Sequence, residues 1–296
     1  PPPSPPPPTP PTPCNWTQKK SLPSKQEREN STAFTINGKG YITTGSNNGV
    51  LLGYLWEYDP SLDKWTQKSS LPDARERELS TSFVINNKGY VSTGMRDSLL
   101  RDLWEYDPLK DNWTQKAKLP DENERSAAVS FTINGRGYVT TGNGKLGQFR
   151  DLLEYDPFID RWTQKASLPY SSKRDSAVAF AMNGRGYVAT GDSSVVLLGD
   201  FWEYDPFFDQ WTQKASLPIV ERKSAVAFVV DNKGYIATGY SNGLVLGDLW
   251  EYDPFFDQWT QKESLPDGQE RTRATAFSIN NKGYIATGNN LNLLGD

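Results

Sequence analysis

The chain has 296 residues and a formal net charge of −4, from 32 basic and 36 acidic side chains. It contains no histidine and one cysteine, Cys14, which excludes the commonest general base, the commonest metal ligand, cysteine-based metal sites and an intrachain disulfide. The balanced charge gives no field that favours nucleic acid, and no apolar run approaches the roughly 18 residues of a membrane-spanning helix. We therefore predict no metal, no cofactor, no nucleic-acid partner and no membrane span.

The chain opens with a proline-rich tail, residues 1–14. Pro1–Pro13 contains ten prolines, which predicts a polyproline II rod. The run resembles the hydroxyproline-rich, O-glycosylated stalks of algal and plant extracellular glycoproteins, whose serine followed by four prolines is matched at Ser4. That resemblance implies an extracellular or cell-surface location, with Ser4, Thr9 and Thr12 as candidate glycosylation sites. Cys14 is interpreted as a spacer residue or as the site of an intermolecular disulfide, and both interpretations stay open.

A repeat occupies residues 15–296. The tetrapeptide WTQK recurs in steps of 48 or 49 residues, at Trp16, Trp65, Trp113, Trp162, Trp211 and Trp259. A fixed period of this size indicates a repeat architecture, because a unit this short cannot bury its apolar face alone. We therefore treat residues 15–296 as one domain.

Each period predicts four short strands, as the fourth unit shows. Ser176–Met182 is apolar with small residues, and Asn183-Gly184 then gives the strongest short hairpin signal, since both residues tolerate a positive φ. Tyr187–Gly191, Phe201–Tyr204 and the strand beginning at Trp211 follow. Six units of four antiparallel strands predict an all-β fold, a six-bladed β-propeller with its small residues near the axis.

The same residues resemble the kelch repeat. Kelch blades carry an arginine before the inner strand, a tyrosine and glycines around the second, a YDP turn and an outer tryptophan, matched here at Arg174, Tyr187, Tyr204-Asp205-Pro206 and Trp211. The amino-acid sequence of the repeat is similar to that of kelch repeats in secreted bacterial proteins. The resemblance covers about residues 15–296 and implies the six-bladed propeller. One departure is Thr190-Gly191, where kelch repeats usually have Gly-Gly.

The number of predicted strands falls one short of six complete four-stranded blades. WTQK occurs six times but the LWEYDP segment that precedes it occurs five times, so the blade shared by the two ends of the chain lacks a third strand. An open strand edge invites pairing. Three explanations stay open: the chain continues past Asp296, the proline-rich tail lies in the gap, or a neighbouring subunit supplies a strand in a head-to-tail assembly.

An arginine precedes each inner strand, and the kelch resemblance implies that these residues face the channel mouth, where some relatives bind acidic peptides or sugar acids. Two roles are open: hydrogen bonds to loop carbonyls and to neighbouring acids such as Glu76 and Glu221, or an anion-binding site. The candidate ligand-binding residues are Arg28, Arg77, Arg125, Arg174, Arg222 and Arg271.

Other polar motifs indicate structure or modification. The YDP aspartates, such as Asp205, are predicted to cap turns, and no pair of acids breaks the repeat symmetry as a glycosidase site requires. Three N-x-T sequons make Asn15, Asn30 and Asn112 candidate glycosylation sites.

These observations favour a non-enzymatic, extracellular structural or adhesive protein, interpreted as the repeating subunit of a fibre assembled through strand or tail exchange. Its expected partners are further copies of itself, or other surface proteins and glycans. The alternatives are a kelch module that binds a peptide or glycan at the arginine-rimmed mouth, and a sugar-processing kelch enzyme.

Overall fold

A computed structural model describes residues 15–72, 76–194, 196–218, 220–290 and 292–296. The predictions made for Ser4, Thr9, Thr12 and Cys14 lie outside the described residues. Within them the chain is built from strands, with a single 3₁₀ turn at Tyr170–Ser172. No helix in this part of the chain is long and apolar enough to cross a membrane.

Six sheets follow one another along the chain, and the first three contain strands β1 to β17. Sheet 1 has β1 (Thr32–Ile36), β2 (Lys39–Thr43), β5 (Leu55–Asp59) and β6 (Lys64–Lys68), with a small hairpin β3 (Ser46–Asn47) and β4 (Val50–Leu51) above it. Sheet 2 has β7 (Thr81–Ile85), β8 (Lys88–Ser92), β9 (Leu103–Asp107) and β10 (Asn112–Lys116). Sheet 3 has β12 (Val129–Ile133), β13 (Arg136–Thr140), β16 (Leu152–Asp156) and β17 (Arg161–Lys165), beside the short strands β11 (Arg125–Ser126), β14 (Asn143–Gly144) and β15 (Gly147–Gln148).

The other three sheets contain β18 to β31. Sheet 4 has β18 (Val178–Met182), β19 (Arg185–Ala189), β20 (Phe201–Asp205) and β21 (Gln210–Lys214). Sheet 5 has β22 (Val226–Val230), β23 (Lys233–Ala237), β26 (Leu249–Asp253) and β27 (Gln258–Lys262), with the hairpin β24 (Tyr240–Ser241) and β25 (Leu244–Val245). Sheet 6 has only β28 (Thr275–Ile279) and β29 (Lys282–Ala286), with the hairpin β30 (Asn289–Asn290) and β31 (Asn292–Leu293). The predicted repeat of four-stranded antiparallel sheets is therefore confirmed in sheets 1 to 5.

The first strands of the six sheets contact one another in cyclic order, from β1 through β7, β12, β18, β22 and β28 back to β1. A ring of six backbone hydrogen bonds follows the same order just before these strands. Each N–H donates to the carbonyl of the equivalent residue one sheet earlier, at 2.8–3.1 Å, through Asn30, Leu79, Ala127, Ser176, Ser224 and Arg273. Because Asn30 donates to Arg273, the two ends of the described chain are joined by the same contact as the other neighbours.

The hairpin between the first two strands has the predicted turn. Asn183 and Gly184 adopt φ values of 51° and 72°, as the Asn-Gly signal requires. Where glycine is missing, Asn86 and Asn87 adopt φ values of 49° and 58° instead. Asparagine tolerates this left-handed region better than other residues with a Cβ, so all six hairpins keep one geometry.

Three predicted strand boundaries were wrong. The inner strand begins at Val178, two residues late, because Ser176 has a φ of 51° and belongs to the hydrogen-bonded ring. The second strand is Arg185–Ala189, since Thr190 and Gly191 turn away with φ values of 60° and 109°. The outer strand predicted at Trp16 has no ladder partner among the described residues and is not a strand.

Adjacent sheets lock together through glycine and phenylalanine. A Cβ placed on Gly186 of β19 would lie 2.3 Å from the ring of Phe131 on the first strand of sheet 3. Gly137 and Phe83 repeat this contact one sheet earlier, at 2.2 Å. Each glycine therefore leaves the space that the neighbouring ring fills, which is why the second strand carries Gly-Tyr in every unit.

Candidate functional site

The six arginines predicted to bind a ligand lie inside the protein. Arg28, Arg77, Arg125, Arg174 and Arg222 have no exposed surface, and Arg271 is 3% exposed. A charged side chain that is this deeply buried needs strong partners. The partners therefore decide what these residues do.

Arg174 shows the arrangement. Its guanidinium donates two hydrogen bonds to the carboxylate of Asp200, at 2.6 and 2.7 Å, and one to the carbonyl of Thr190 at 2.9 Å. Its own carbonyl accepts a hydrogen bond from Gly142 of the preceding sheet at 2.9 Å. Arg174 therefore holds a loop of its own sheet through its side chain and contacts the preceding sheet through its backbone carbonyl. The same pairing is made by Arg77 with Asp102, Arg125 with Asp151, Arg222 with Asp248 and Arg271 with Asp296.

Sequence reasoning missed these acids. It expected the neighbouring Glu76 and Glu221 to neutralise the arginines, whereas the partner is the aspartate just before the third strand. Successive side chains of an extended segment point to opposite sides, so a glutamate directly before the arginine is turned away from it. Glu124, for example, pairs with Arg101 at 3.0 Å instead. An aspartate before LWEYDP in four units was the signal that could have revealed the pairing.

The pairing lowers the pKa of two of these carboxylates, Asp200 and Asp296. Burial alone would raise the pKa of Asp200, but the hydrogen bonds and charge of Arg174 outweigh it and hold that pKa below its usual value. Asp296 behaves in the same way beside Arg271. A depressed folded-state pKa means that these pairs stabilise the fold above the unfolded pKa of about 4 and that this stabilisation is lost as the pH falls further.

Arg28 is the exception, because Tyr54 stands where the other units have the aspartate. Its guanidinium donates to Gln26 Oε1 and to the Thr44 carbonyl, both at 3.0 Å, and no carboxylate of the described residues lies within ion-pair distance. Burial without a charged partner lowers the pKa of Arg28 to about 10. Burial of the Arg28 charge therefore costs free energy, and the hydrogen bonds to Gln26 and Thr44 offset part of that cost.

The channel mouth contains a small cavity of about 100 Å³, lined by two residues from each sheet, among them Ala127, Ala177 and Ser224. Pockets for small ligands usually measure about 300–1,000 Å³. The only charged side chain in the lining is Arg273, which pairs with Glu29 at 3.1 Å. Arg174 does not line this cavity, and its guanidinium is already bonded to Thr190 and Asp200, so the geometry favours the structural role of the six arginines. No cluster of potential metal ligands occurs in the described ranges.

Threonines beside the cavity differ in their partners. Thr44 Oγ1 lies 2.9 Å from Ser80 Oγ, and Thr287 Oγ1 lies 3.1 Å from Ser31 Oγ. Where the next sheet has alanine at the serine position, the buried threonine hydroxyl has no hydrogen-bond partner within the described residues; these are Thr93, Thr141, Thr190 and Thr238.

Replacing Ala225 by serine is therefore expected to stabilise the protein by about 1 kcal/mol, because the new hydroxyl can pair with Thr190. The matched change Ser80→Ala is expected to cost about 1 kcal/mol or more, since it leaves Thr44 unpaired. Urea unfolding of the two variants measures both changes in the free energy of unfolding. No change in the free energy of unfolding in either variant would show that the hydroxyls are satisfied by water instead.

The predicted modification and turn residues fall at three kinds of position. Asn15 and Asn112 are exposed, but the Nδ2 of Asn30 lies in the cavity lining and donates to Glu78 Oε2 at 2.8 Å. A glycan on Asn30 would therefore be attached to an atom that already bonds Glu78 beside the cavity. The YDP aspartates cap their turns as predicted; Asp205 Oδ1 accepts from the Phe207 N–H at 2.9 Å.

The turns after those aspartates expose large apolar side chains. Phe158, Phe207 and Phe255 are 95%, 86% and 86% exposed, and Phe208 and Phe256 also face solvent. They lie in the same turn of sheets 3, 4 and 5, which are consecutive neighbours. Sequence analysis did not single them out, although the PFI and PFF triplets were visible.

A second feature is the strand gap, which we define as the space between β29 and the segment 15–20. Neighbouring sheets hold this segment where a fourth strand belongs. Trp16 Nε1 donates to the Glu263 carbonyl at 2.9 Å, and Lys20 N and O bond Asp63 Oδ1 and Trp65 Nε1 at 2.9 and 2.7 Å. The equivalent bonds of sheet 4 join Trp211 to the Ala166 carbonyl at 2.8 Å.

No third strand lies in the strand gap among the described residues. Residues around it are accordingly less buried than their counterparts. Ile285 and Tyr284 of β29 are partly exposed, whereas Ile236 is 0% and Tyr187 is 1% exposed. Val230 and Tyr235 of sheet 5 are partly exposed as well. Within the described residues β29 therefore has no ladder partner on this side.

No protein-family model matches the chain, and no curated protein matches it in sequence. The solved structure of YjhT, a kelch-repeat β-propeller, is similar with a TM-score of 0.78. The alignment covers 94% of this chain and 95% of that one at 18% sequence identity. At this identity the likeness shows the fold alone: an all-β protein of repeated four-stranded antiparallel sheets, consistent with a kelch propeller.

Proposed function

We propose that this chain is a six-bladed kelch propeller that serves as a non-enzymatic, extracellular structural or adhesive protein, joined to its neighbours through the apolar turns of sheets 3 to 5. These turns carry the proposal. Phe158, Phe207 and Phe255 are 95%, 86% and 86% exposed in the same turn of three consecutive sheets. Large apolar side chains that are exposed together mark interaction sites on soluble proteins.

The rest of the molecule supports a scaffold. The arginine groups are buried and bonded to protein atoms, and the channel cavity is small. The tail composition and the sequons are the reasons for placing the protein outside the cell.

Electron microscopy of the native material at high concentration tests the proposal. We expect fibres or a layer in which propellers repeat at a regular spacing. The variant Phe207→Lys should reduce assembly, because it places a charge among the exposed apolar side chains of the turns. Val50→Lys, on a residue that is 65% exposed in the hairpin β3–β4, is the control and should assemble normally. Monodisperse discs in the native material would contradict the structural role.

A ligand-binding kelch module is the second candidate function. The varied loops that join the second and third strands favour it, because they carry the hairpins β3–β4, β14–β15, β24–β25 and β30–β31 in four sheets and other conformations in sheets 2 and 4. A glycan array with the full chain would test it. A sugar-processing activity has no constellation of acids or bases to support it and requires measured turnover.

A further inference from the structure

The phenylalanine turns lie on the rim of the domain from which the proline-rich tail departs, and the two have complementary chemistry. We infer that the turns of sheets 3 to 5 bind the segment Pro1–Pro13 of a neighbouring copy of this chain. This inference deepens the proposed function, because it names the partner of the apolar turns. It rests on that function for the association of one copy with another.

The turn itself does not need phenylalanine. In sheet 4 Asp205 Oδ1 accepts a hydrogen bond from the Phe207 N–H at 2.9 Å, and in sheet 1 the Ser61 N–H donates the same bond to Asp59 at 2.9 Å. The turn therefore forms with serine at this position as well. A phenylalanine that is 86% exposed leaves most of its apolar surface in water, so it contributes little to folding. The exposed rings are therefore available to a partner.

In sheets 4 and 5 the turn presents two rings at right angles. The ring centroids of Phe207 and Phe208 lie 4.9 Å apart with an interplanar angle of 88°, and those of Phe255 and Phe256 lie 4.9 Å apart at 89°. Two perpendicular rings form a corner against which a pyrrolidine ring can pack. Aromatic surfaces of this kind bind polyproline II segments, which lose little conformational entropy because their prolines are already fixed.

A hydrogen-bond donor follows each of the three turns. The first residues after the turns of sheets 3, 4 and 5 are Arg161, Gln210 and Gln258, and their side chains are exposed. A proline-rich segment offers carbonyl acceptors but few N–H donors, so donating side chains are the polar partners that it needs. Pro1–Pro13 contains no charged and no aromatic side chain. It therefore has the chemistry of a ligand for an aromatic surface edged by donors.

The tail leaves the domain at this rim. Asn15 stands at the position of Gln210 in the repeat, directly before the tryptophan. The Trp16 and Trp211 indoles donate equivalent hydrogen bonds to the preceding sheet, at 2.9 and 2.8 Å. Pro1–Pro13 contains no glycine, and its composition predicts a stiff rod that extends beyond the rim instead of folding back. At about 3.1 Å per residue such a rod spans roughly 40 Å, which is enough to reach a neighbouring copy.

Fluorescence anisotropy of a labelled PPPSPPPPTPPTP peptide with the dilute full chain tests the inference. We expect saturable binding at least about ten-fold tighter than that of the all-D peptide, which has the same composition and apolar area but the opposite helical hand. The triple change Phe158→Leu, Phe207→Leu and Phe255→Leu should weaken binding at least about ten-fold, because it keeps the turns apolar but removes the rings. The double change Leu62→Ala and Leu109→Ala, on exposed residues in the turns of sheets 1 and 2, is the matched control and should leave binding unchanged.

Equal binding of the two enantiomers, no binding, or equal effects of the two sets of changes would overturn the inference even if the native material forms fibres. In that case the turns would join the copies by contacting another surface than the tail. Selective binding by a protein that forms only a closed dimer would support the inference, and the fibre role alone would fail. The two proposals can therefore fail separately.

Discussion

Raising the pH above 10 is expected to unfold this protein within about one to two pH units. Nine tyrosines that are at most 2% exposed have pKa values raised far above 10, chiefly by burial and then by hydrogen bonds to carboxylates. Tyr187 and Glu203, 2.7 Å apart, are one such pair. The folded protein therefore keeps these protons where the unfolded chain loses them.

The sign follows from proton linkage. Above the unfolded pKa of about 10 the unfolded state binds fewer protons than the folded state, so the free energy of unfolding falls with pH. Each tyrosine that stays protonated in the fold contributes about 1.4 kcal/mol per pH unit. Nine together exceed on the order of 10 kcal/mol per unit, which is comparable with the whole stability of a typical protein.

Absorbance of tyrosinate near 295 nm, recorded together with circular dichroism, measures this. Most of the ionisation should appear in one cooperative step that coincides with loss of sheet structure. In guanidinium the same residues should titrate near pH 10. Gradual ionisation near pH 10 of the folded protein, with unchanged circular dichroism, would contradict the buried tyrosine–carboxylate pairs.

Replacing Arg174 by methionine is expected to destabilise the protein by about 3 kcal/mol, because Asp200, whose side chain is only 22% exposed, would be left as a largely buried charge without its partner. The same change at Arg28 should cost at least about 2 kcal/mol less, since that guanidinium has no carboxylate to leave behind. The two arginines are equally buried, so the difference isolates the ion pair. Urea unfolding of both variants gives the comparison.

The double change Arg174→Met with Asp200→Leu should recover more than half of the loss, because it removes both charges. If Arg174 instead binds a ligand, its replacement should abolish that binding at little cost in stability. Equal losses at Arg28 and Arg174 would show that the aspartate contributes little.

The fold was predictable because local signals agree with the repeat. Asn183-Gly184 specified a hairpin, the period placed a strand before Trp211, and the missing LWEYDP copy located the strand gap. These signals depend on neighbours in the sequence or on simple counting. They do not depend on how distant sheets meet.

The arginine partners were not predictable in the same way. Asp200 lies far from Arg174 in sequence, whereas Glu221 is the direct neighbour of Arg222, and only the fold shows which acid shares its side of the chain. The predicted ends of the strands were wrong for a related reason. Thr190 favours a strand by composition, yet its φ of 60° is imposed by the turn that seats Gly191 against the next sheet. The exposed phenylalanines were overlooked because apolar residues are ordinarily expected in the core.

Sedimentation of the native protein over a range of concentrations tests most directly whether it assembles with further copies of itself. We expect the sedimentation coefficient to rise with concentration, and we expect the Phe207→Lys variant to remain a monomer at concentrations where the native protein assembles. A monomer at every concentration would contradict the structural role.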